Sequence, residues 1–281
     1  MDERPIHPRD PVPERPVRPL LGRSALVTGV SRRDGIGYAV ARRLASYGAS
    51  VFCHHYGPHD AGQPWGADDT DAVLEGVRAA RTDPQARVEG AGADLAAPGA
   101  PREVFEAARA SLGRVDVLVC NHARSGGDAG LAGVTEAMLD GHWAVDARSP
   151  LLLAQAFAAA HDGRPGGRIV FLTSGQGQGP MPGEVAYAAA KGALAAITLT
   201  VADELADRGI TVNTVNPGPV QTGYIGEGVE GALAHKLPMG RLGRPDDPAR
   251  LIAWLATDEA RWITGQVFNS EGGFARWRDR P

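Results

Sequence analysis

Tyr187 and Lys191 stand four residues apart in Ala-Tyr-Ala-Ala-Ala-Lys-Gly-Ala (186–193), a segment whose alanines favour helix. Four-residue spacing stacks both side chains on one helix face. A phenol ordinarily titrates at about pH 10, too high to exchange protons readily near neutrality, and a neighbouring ammonium draws that value down. So tuned, Tyr187 can protonate a developing alkoxide or, in reverse, deprotonate an alcohol. Thirteen residues upstream, Ser174 follows the apolar run Arg168–Thr173, where a hydroxyl at a strand end can orient a carbonyl oxygen. No His/Cys cluster has metal-ligand spacing, so no metal is expected.

A second constellation lies near the start. Thr28–Gly37 reads Thr-Gly-Val-Ser-Arg-Arg-Asp-Gly-Ile-Gly, after an apolar run and before an Ala/Arg-rich helical stretch. Glycines there permit a tight turn and let backbone N–H groups approach a pyrophosphate at a helix N-terminus. Gly29, Ser31, Arg32, Arg33, Gly35, Ile36 and Gly37 are therefore candidate dinucleotide-binding residues. An acid ending the second strand would hold a ribose 2′-OH, but this chain has Cys53-His54-His55-Tyr56. His55 joins the cofactor set, and Arg32 and Arg33 suit a phosphate. NADP is thus favoured over NAD.

The elements that must position these groups alternate. Apolar runs at 24–28, 50–54, 87–90, 115–120, 168–173, 211–215 and 266–269 read as strands. Helical patterns lie near 35–47, 68–81, 101–112, 135–160, 185–208 and 246–257. Runs such as 115–120 are almost continuously apolar, as when helices cover both faces of a parallel sheet. Strand–helix alternation predicts an α/β chain: one doubly wound, Rossmann-type domain over 21–281 with a mostly parallel seven-stranded sheet. Residues 1–20 carry six prolines among charged residues and read as a flexible arm.

Taken together and in order, these motifs resemble the short-chain dehydrogenase/reductase family, with the match running from about Leu21 to Phe274. Ser174, Tyr187 and Lys191 match its active-site triad. The resemblance implies cofactor roles for Asp94-Leu95, for Asn121 in Cys120-Asn-His-Ala123, and for Pro217, Gly218, Val220 and Thr222 in Asn216–Thr222. Gly175–Pro180 most resembles the 3-oxoacyl-[acyl-carrier-protein] reductase-like members. Three departures stand out: two extra residues in the glycine loop, His122 in place of a small residue, and Asp146 where the family's fourth catalytic residue is asparagine. An aspartate brings charge as well as acceptor oxygens. Ionised, at about 8 Å and an effective dielectric of about 20, it would interact with Lys191 by about 2 kcal/mol; protonated by burial, it would instead mimic the amide as a donor.

The bulk figures fit an ordinary enzyme: 281 residues, 43% hydrophobic, 22% charged, net charge −4. Nothing there attracts nucleic acid or an anionic membrane. The apolar stretch Leu151–Ala160 is too short to span a bilayer. Two cysteines and no apolar leader point to the cytoplasm. The expected activity is hydride transfer between NADP(H) and a small-molecule ketone or secondary alcohol, in a homotetramer implied by the resemblance. The alternatives are an NAD-linked alcohol dehydrogenase and a silent nucleotide-binding scaffold. The insert Gly57–Asp71 and the segment Tyr224–Met239 are expected to border the substrate mouth.

Overall fold

A computed structural model of the chain describes residues 16–225, 231, 233 and 235–275. Seven strands form one parallel sheet in the order β3-β2-β1-β4-β5-β6-β7. They are β1 (Ser24–Thr28), β2 (Ser50–His55), β3 (Val88–Gly92), β4 (Val117–Cys120), β5 (Gly167–Leu172), β6 (Ile210–Asn216) and β7 (Val267–Asn269). The expected doubly wound α/β architecture is the one found.

Strand periodicity divides the core in two. In β1, Ala25 and Val27 join Val51, Cys53, Val117 and Val119 on one face, while Leu26 joins Phe52, Leu118 and Phe171 on the other. The first face is covered by α1 (Ile36–Ser46), α3 (Thr70–Arg78) and α8 (Asp246–Leu255), the second by α4 (Ala100–Leu112), α6 (Ser149–Ala160) and α7 (Val185–Ala206). Both faces are therefore dry, which is why the central strands are continuously apolar.

Three details differ from expectation. The insert after β2 holds a short helix, α2 (Gly57–Ala61), which has no periodic signal of its own. The helix expected over 135–160 is α5 (Glu136–His142) joined to α6 by a π-turn, Trp143–Arg148. Such a turn widens the helix and re-aims its side chains, commonly at functional sites. Leu20, the last residue of the expected arm, is fully buried, and its N–H donates to the Tyr47 carbonyl at 2.9 Å. Residues 1–15 of that arm lie outside the described residues. Among the described residues, α7 is the one helix long and apolar enough to cross a membrane by length and composition; it packs against β6, where Thr198 and Thr214 share a 2.6 Å hydrogen bond.

Phe157 on α6 is 1% exposed and meets Phe105 of α4 edge-on at 6.3 Å. Phe157→Ala should lower the unfolding free energy by about 3–5 kcal/mol, read from denaturant midpoints at constant slope.

Candidate active site

Strand order reverses at β1 and β4, and the crevice outside their carboxyl ends opens into a cavity of ≈ 300 Å³. Gly29 leaves β1 at φ +73°, and a Cβ there would lie 2.8 Å from Asn121 Nδ2 and from the His122 Cα. A Cβ on Gly37 would collide with the Gly29 carbonyl oxygen. Helix α1 starts on Gly35 with no side-chain cap and no acid in its first turn, so its positive end carries no counter-charge of its own. This glycine cradle fits a dinucleotide pyrophosphate. Asn121 Nδ2 donates to the carbonyls of Thr28 (3.0 Å) and Gly29 (3.1 Å), tying the cradle to β4.

Of the expected cofactor residues, Gly29, Ser31, Arg32, Gly35, Ile36, Asp94, Leu95, Asn121 and Thr222 line the cavity. Arg33 does not: its N–H donates to Asp68 (2.7 Å) and its guanidinium to the Ala72 carbonyl (3.0 Å), on a separate groove shared with Arg42 and Arg244. His55 lies over Gly92 instead of the cavity, and the wall is formed by His54. Alternation along β2 turns these neighbours to opposite sides. His54 bonds the Ala93 carbonyl at 2.9 Å, and burial pushes its pKa down to about 4. Pro217, Gly218 and Val220 also stand back from the cavity. Gly218 (φ +68°) presses on Glu271, where a Cβ would lie 2.7 Å from Cα, and Val220 bridges Gly243.

Arg32 is held on three sides. It donates to the Thr222 carbonyl (2.7 Å), pairs with Asp60 (3.3 Å), and lies 5.2 Å from the Trp65 ring centre. Trp65 Nε1 donates to Asp60 (3.1 Å), and its ring meets Tyr224 at 5.5 Å. The 57–66 insert is thereby strapped to the glycine loop and to the 222–224 segment. Residues 226–230, 232 and 234 of the expected mouth lie outside the described residues.

Beyond the cavity, Tyr187 and Lys191 share one face of α7, with Lys191 Nζ 5.8 Å from the Tyr187 ring centre. Burial raises the Tyr187 pKa, the Asp146 charge raises it further, and a hydrogen bond with Ser174 opposes both. The Lys191 ammonium is 2% exposed and donates to the Leu172 carbonyl at 3.1 Å. Burial lowers its pKa, while Asp146 at 4.0 Å resists the change. That separation is half of what the sequence suggested. Asp146 is fully buried in the π-turn; Oδ1 accepts the Arg124 N–H (2.7 Å) and Oδ2 accepts from His142 Nδ1 (2.8 Å).

Several residues at this site escaped the sequence reading. Asp128 accepts the N–H groups of Ala186 (3.1 Å) and Tyr187 (2.8 Å) at the start of α7. Burial disfavours its charge, but these backbone bonds prevail and lower its pKa. Glu184, raised by burial and by Asp128, also acts on Tyr187. Asp128 arrives from a distant loop and leaves no local signal, whereas Asp60, on α2, and Trp65 belong to the insert expected to border the mouth, without a signal for their bonds to Arg32. His142 does leave one: it precedes Asp146 by four residues in a helical pattern.

A family model described as Enoyl-(Acyl carrier protein) reductase matches residues 29–275. The chain is 42% identical over 255 residues to the uncharacterized oxidoreductase YjdA of Bacillus subtilis, covering 90% of this chain and 96% of that one. It is 33% identical over 264 residues to the 3-oxoacyl-[acyl-carrier-protein] reductase FabG of Escherichia coli, covering 90% and 97%. Among solved structures, the angucycline C-6 ketoreductase LanV with bound NADP superposes with a TM-score of 0.78 at 32% identity, covering 91% of this chain and 96% of that one. The chain belongs to the short-chain dehydrogenase/reductase family. It is an NAD(P)-dependent oxidoreductase of that family.

The cradle makes a sharp prediction. Gly37→Ala should weaken NADPH binding, read by fluorescence titration, by about tenfold or more, because the loop must move from the position the helix end requires. Wild-type affinity in the variant would remove Gly37 from the nucleotide site.

Proposed function

We propose that this chain is a carbonyl reductase that uses NADPH to reduce a ketone, with Tyr187 as the proton donor. One observation carries the reading: Tyr187 is hydrogen-bonded to Ser174, which follows β5, and faces Lys191 one turn along α7. When bound, the cofactor supplies the hydride. Ser174 orients the carbonyl oxygen, and Tyr187 delivers its proton as the alkoxide forms. Lys191 steadies the phenolate left behind, and Asp146 keeps Lys191 charged. The raised Tyr187 pKa favours the proton-donating direction. FabG and LanV, both named as reductases of carbonyl substrates, support a 3-oxoacyl-like or other ketone substrate.

With Arg33 pointing away, the NADP preference rests on Arg32 and on the lack of an acid at the end of β2, with the NADP-bound LanV in support. Asp60 favours a second reading. An acid already bonded to Arg32 in the cavity could instead take a ribose 2′-OH, which suits NAD-linked alcohol oxidation. Exposed apolar side chains on α6 and α7 (Leu152 and Leu199), with Trp262 and Val267 by β7, support the proposed homotetramer. Unpaired, buried Cys53 and Cys120 suit the proposed cytoplasmic location.

Tyr187→Phe should lower turnover by about 10²–10⁴-fold while NADPH binding survives. Near-normal turnover would end the assignment. Arg32→Ala should raise the NADPH dissociation constant by about tenfold, the worth of one charged hydrogen bond, and leave NADH nearly unchanged. Arg33→Ala should change neither. If instead Asp60→Asn weakens NADH selectively, the NAD reading replaces the NADP one.

A further inference from the structure

We propose that His142 is a positioning residue of this site, whose Nδ1–H holds the Asp146 carboxylate against the Lys191 ammonium. The proposal rests on the roles assigned above to Tyr187 and Lys191. A buried carboxylate accepts hydrogen bonds only, so every oxygen needs a donor from the protein. Asp146 is fully buried, and its two oxygens are served differently. Oδ1 has the Arg124 N–H at 2.7 Å and Lys191 Nζ at 4.0 Å. Among the described residues, the one hydrogen bond to Oδ2 comes from His142, at 2.8 Å.

His142 has little else to do there. It is 1% exposed, and its Nε2 is buried without a partner. Leaving a polar atom unpaired costs free energy that an apolar side chain of similar size would not incur. The Nδ1 bond to Asp146 is what the imidazole offers in return. Its ring stands edge-on to Tyr187 at 5.9 Å, so α5, the π-turn and α7 meet at this one side chain. The charged or titratable groups facing it are Asp146, Tyr187 and, at the start of α7, Asp128 and Glu184; those facing Lys191 are Asp146, Tyr187, Cys120 and His122.

Removing the Nδ1 donor leaves Oδ2 bare. The carboxylate then takes up a proton or turns away, and in either case Lys191 loses the charge that opposes its desolvation. The sign follows: with Asp146 no longer acting, burial outweighs what remains, the Leu172 carbonyl and Cys120, and the ammonium deprotonates at lower pH. Tyr187 then loses its cationic neighbour on the basic side of the profile.

Lys191 and Lys236 are the chain's two lysines, so protein labelled with ¹³Cε-lysine gives two signals. Lys191 is assigned by its disappearance in Lys191→Arg. Titration of the ligand-free protein then reads Lys191 without turnover. His142→Leu should lower its midpoint by about one pH unit or more, a tenfold change in protonation ratio. The basic limb of reductive kcat should move down with it. His142→Gln, which can return an N–H to Oδ2, should restore both. In an Asp146→Asn background, His142→Leu should shift nothing further. An unmoved Lys191 midpoint in a folded His142→Leu protein overturns the proposal. A His142→Gln variant displaced as far as His142→Leu also overturns it, assigning the effect to the imidazole's own proton. Should His142→Leu fail to fold, His142→Phe is judged by the same criteria. Normal turnover in Tyr187→Phe would instead sink the functional reading and leave the Lys191 titration standing.

Discussion

An ammonium removed from water costs several kcal/mol unless the protein replaces its hydration, and Lys191 is 2% exposed. Its replacements come from three places: the Leu172 carbonyl at the end of β5, the Asp146 carboxylate in the π-turn, and the Tyr187 ring one helical turn away. None is local to Lys191 except the tyrosine. The sheet must therefore deliver a strand end, and the α5–α6 helix a widened turn, to the same point on α7. Thr173 secures the arrangement by donating from Oγ1 to the Lys191 carbonyl at 2.7 Å. Ser174 follows directly, so the contact that buries the lysine also sets the serine beside the phenol.

A second polar chain joins this site to the cofactor cradle. Ser149 Oγ donates to the Val145 carbonyl at 2.8 Å, so its oxygen accepts from His122 Nε2 at 2.6 Å. His122 Nδ1 is then the acceptor, and Thr28 Oγ1 donates to it at 2.6 Å. The tautomer is thus assigned by its partners. Burial lowers the His122 pKa, as a neutral ring bridging two hydroxyls requires. This histidine, where the family resemblance leads one to expect a small residue, connects the end of β1 to the turn that carries Asp146.

The sheet and the Ser174–Tyr187–Lys191 set were legible because each follows from local periodicity or fixed spacing. Seven apolar runs became seven strands, with shifted ends but no change of order. What escaped depends on facing or on long-range contact. His54 and His55 are adjacent, and only the parity of β2 decides which one lines the cavity. Arg32 and Arg33 are equivalent as sequence, yet Asp60 and Thr222 hold one at the cavity while Asp68 and Ala72 draw the other outward. The π-turn has no residue signature, so the approach of Asp146 to Lys191 was underestimated by a factor of two.

That closer approach changes what the substitution of the family's asparagine means. An amide beside Lys191 leaves the ammonium's field on the tyrosine unopposed, which suits a phenol that must also act as a base. A carboxylate at 4.0 Å from Nζ keeps the lysine charged while cancelling part of that field, and its own charge raises the Tyr187 pKa. The two effects do not cancel in their consequences. The lysine stays available to steady a phenolate once the proton has left, but the resting phenol holds that proton more firmly. Under the proposed reading, a site so arranged favours donation to a developing alkoxide over the reverse step at the same pH. The aspartate is tolerated because it is fully bonded, to Arg124 on one oxygen and His142 on the other. Without both, a buried carboxylate oxygen would be left with no donor, a cost the fold avoids by placing α5 and the 121–124 segment against the π-turn.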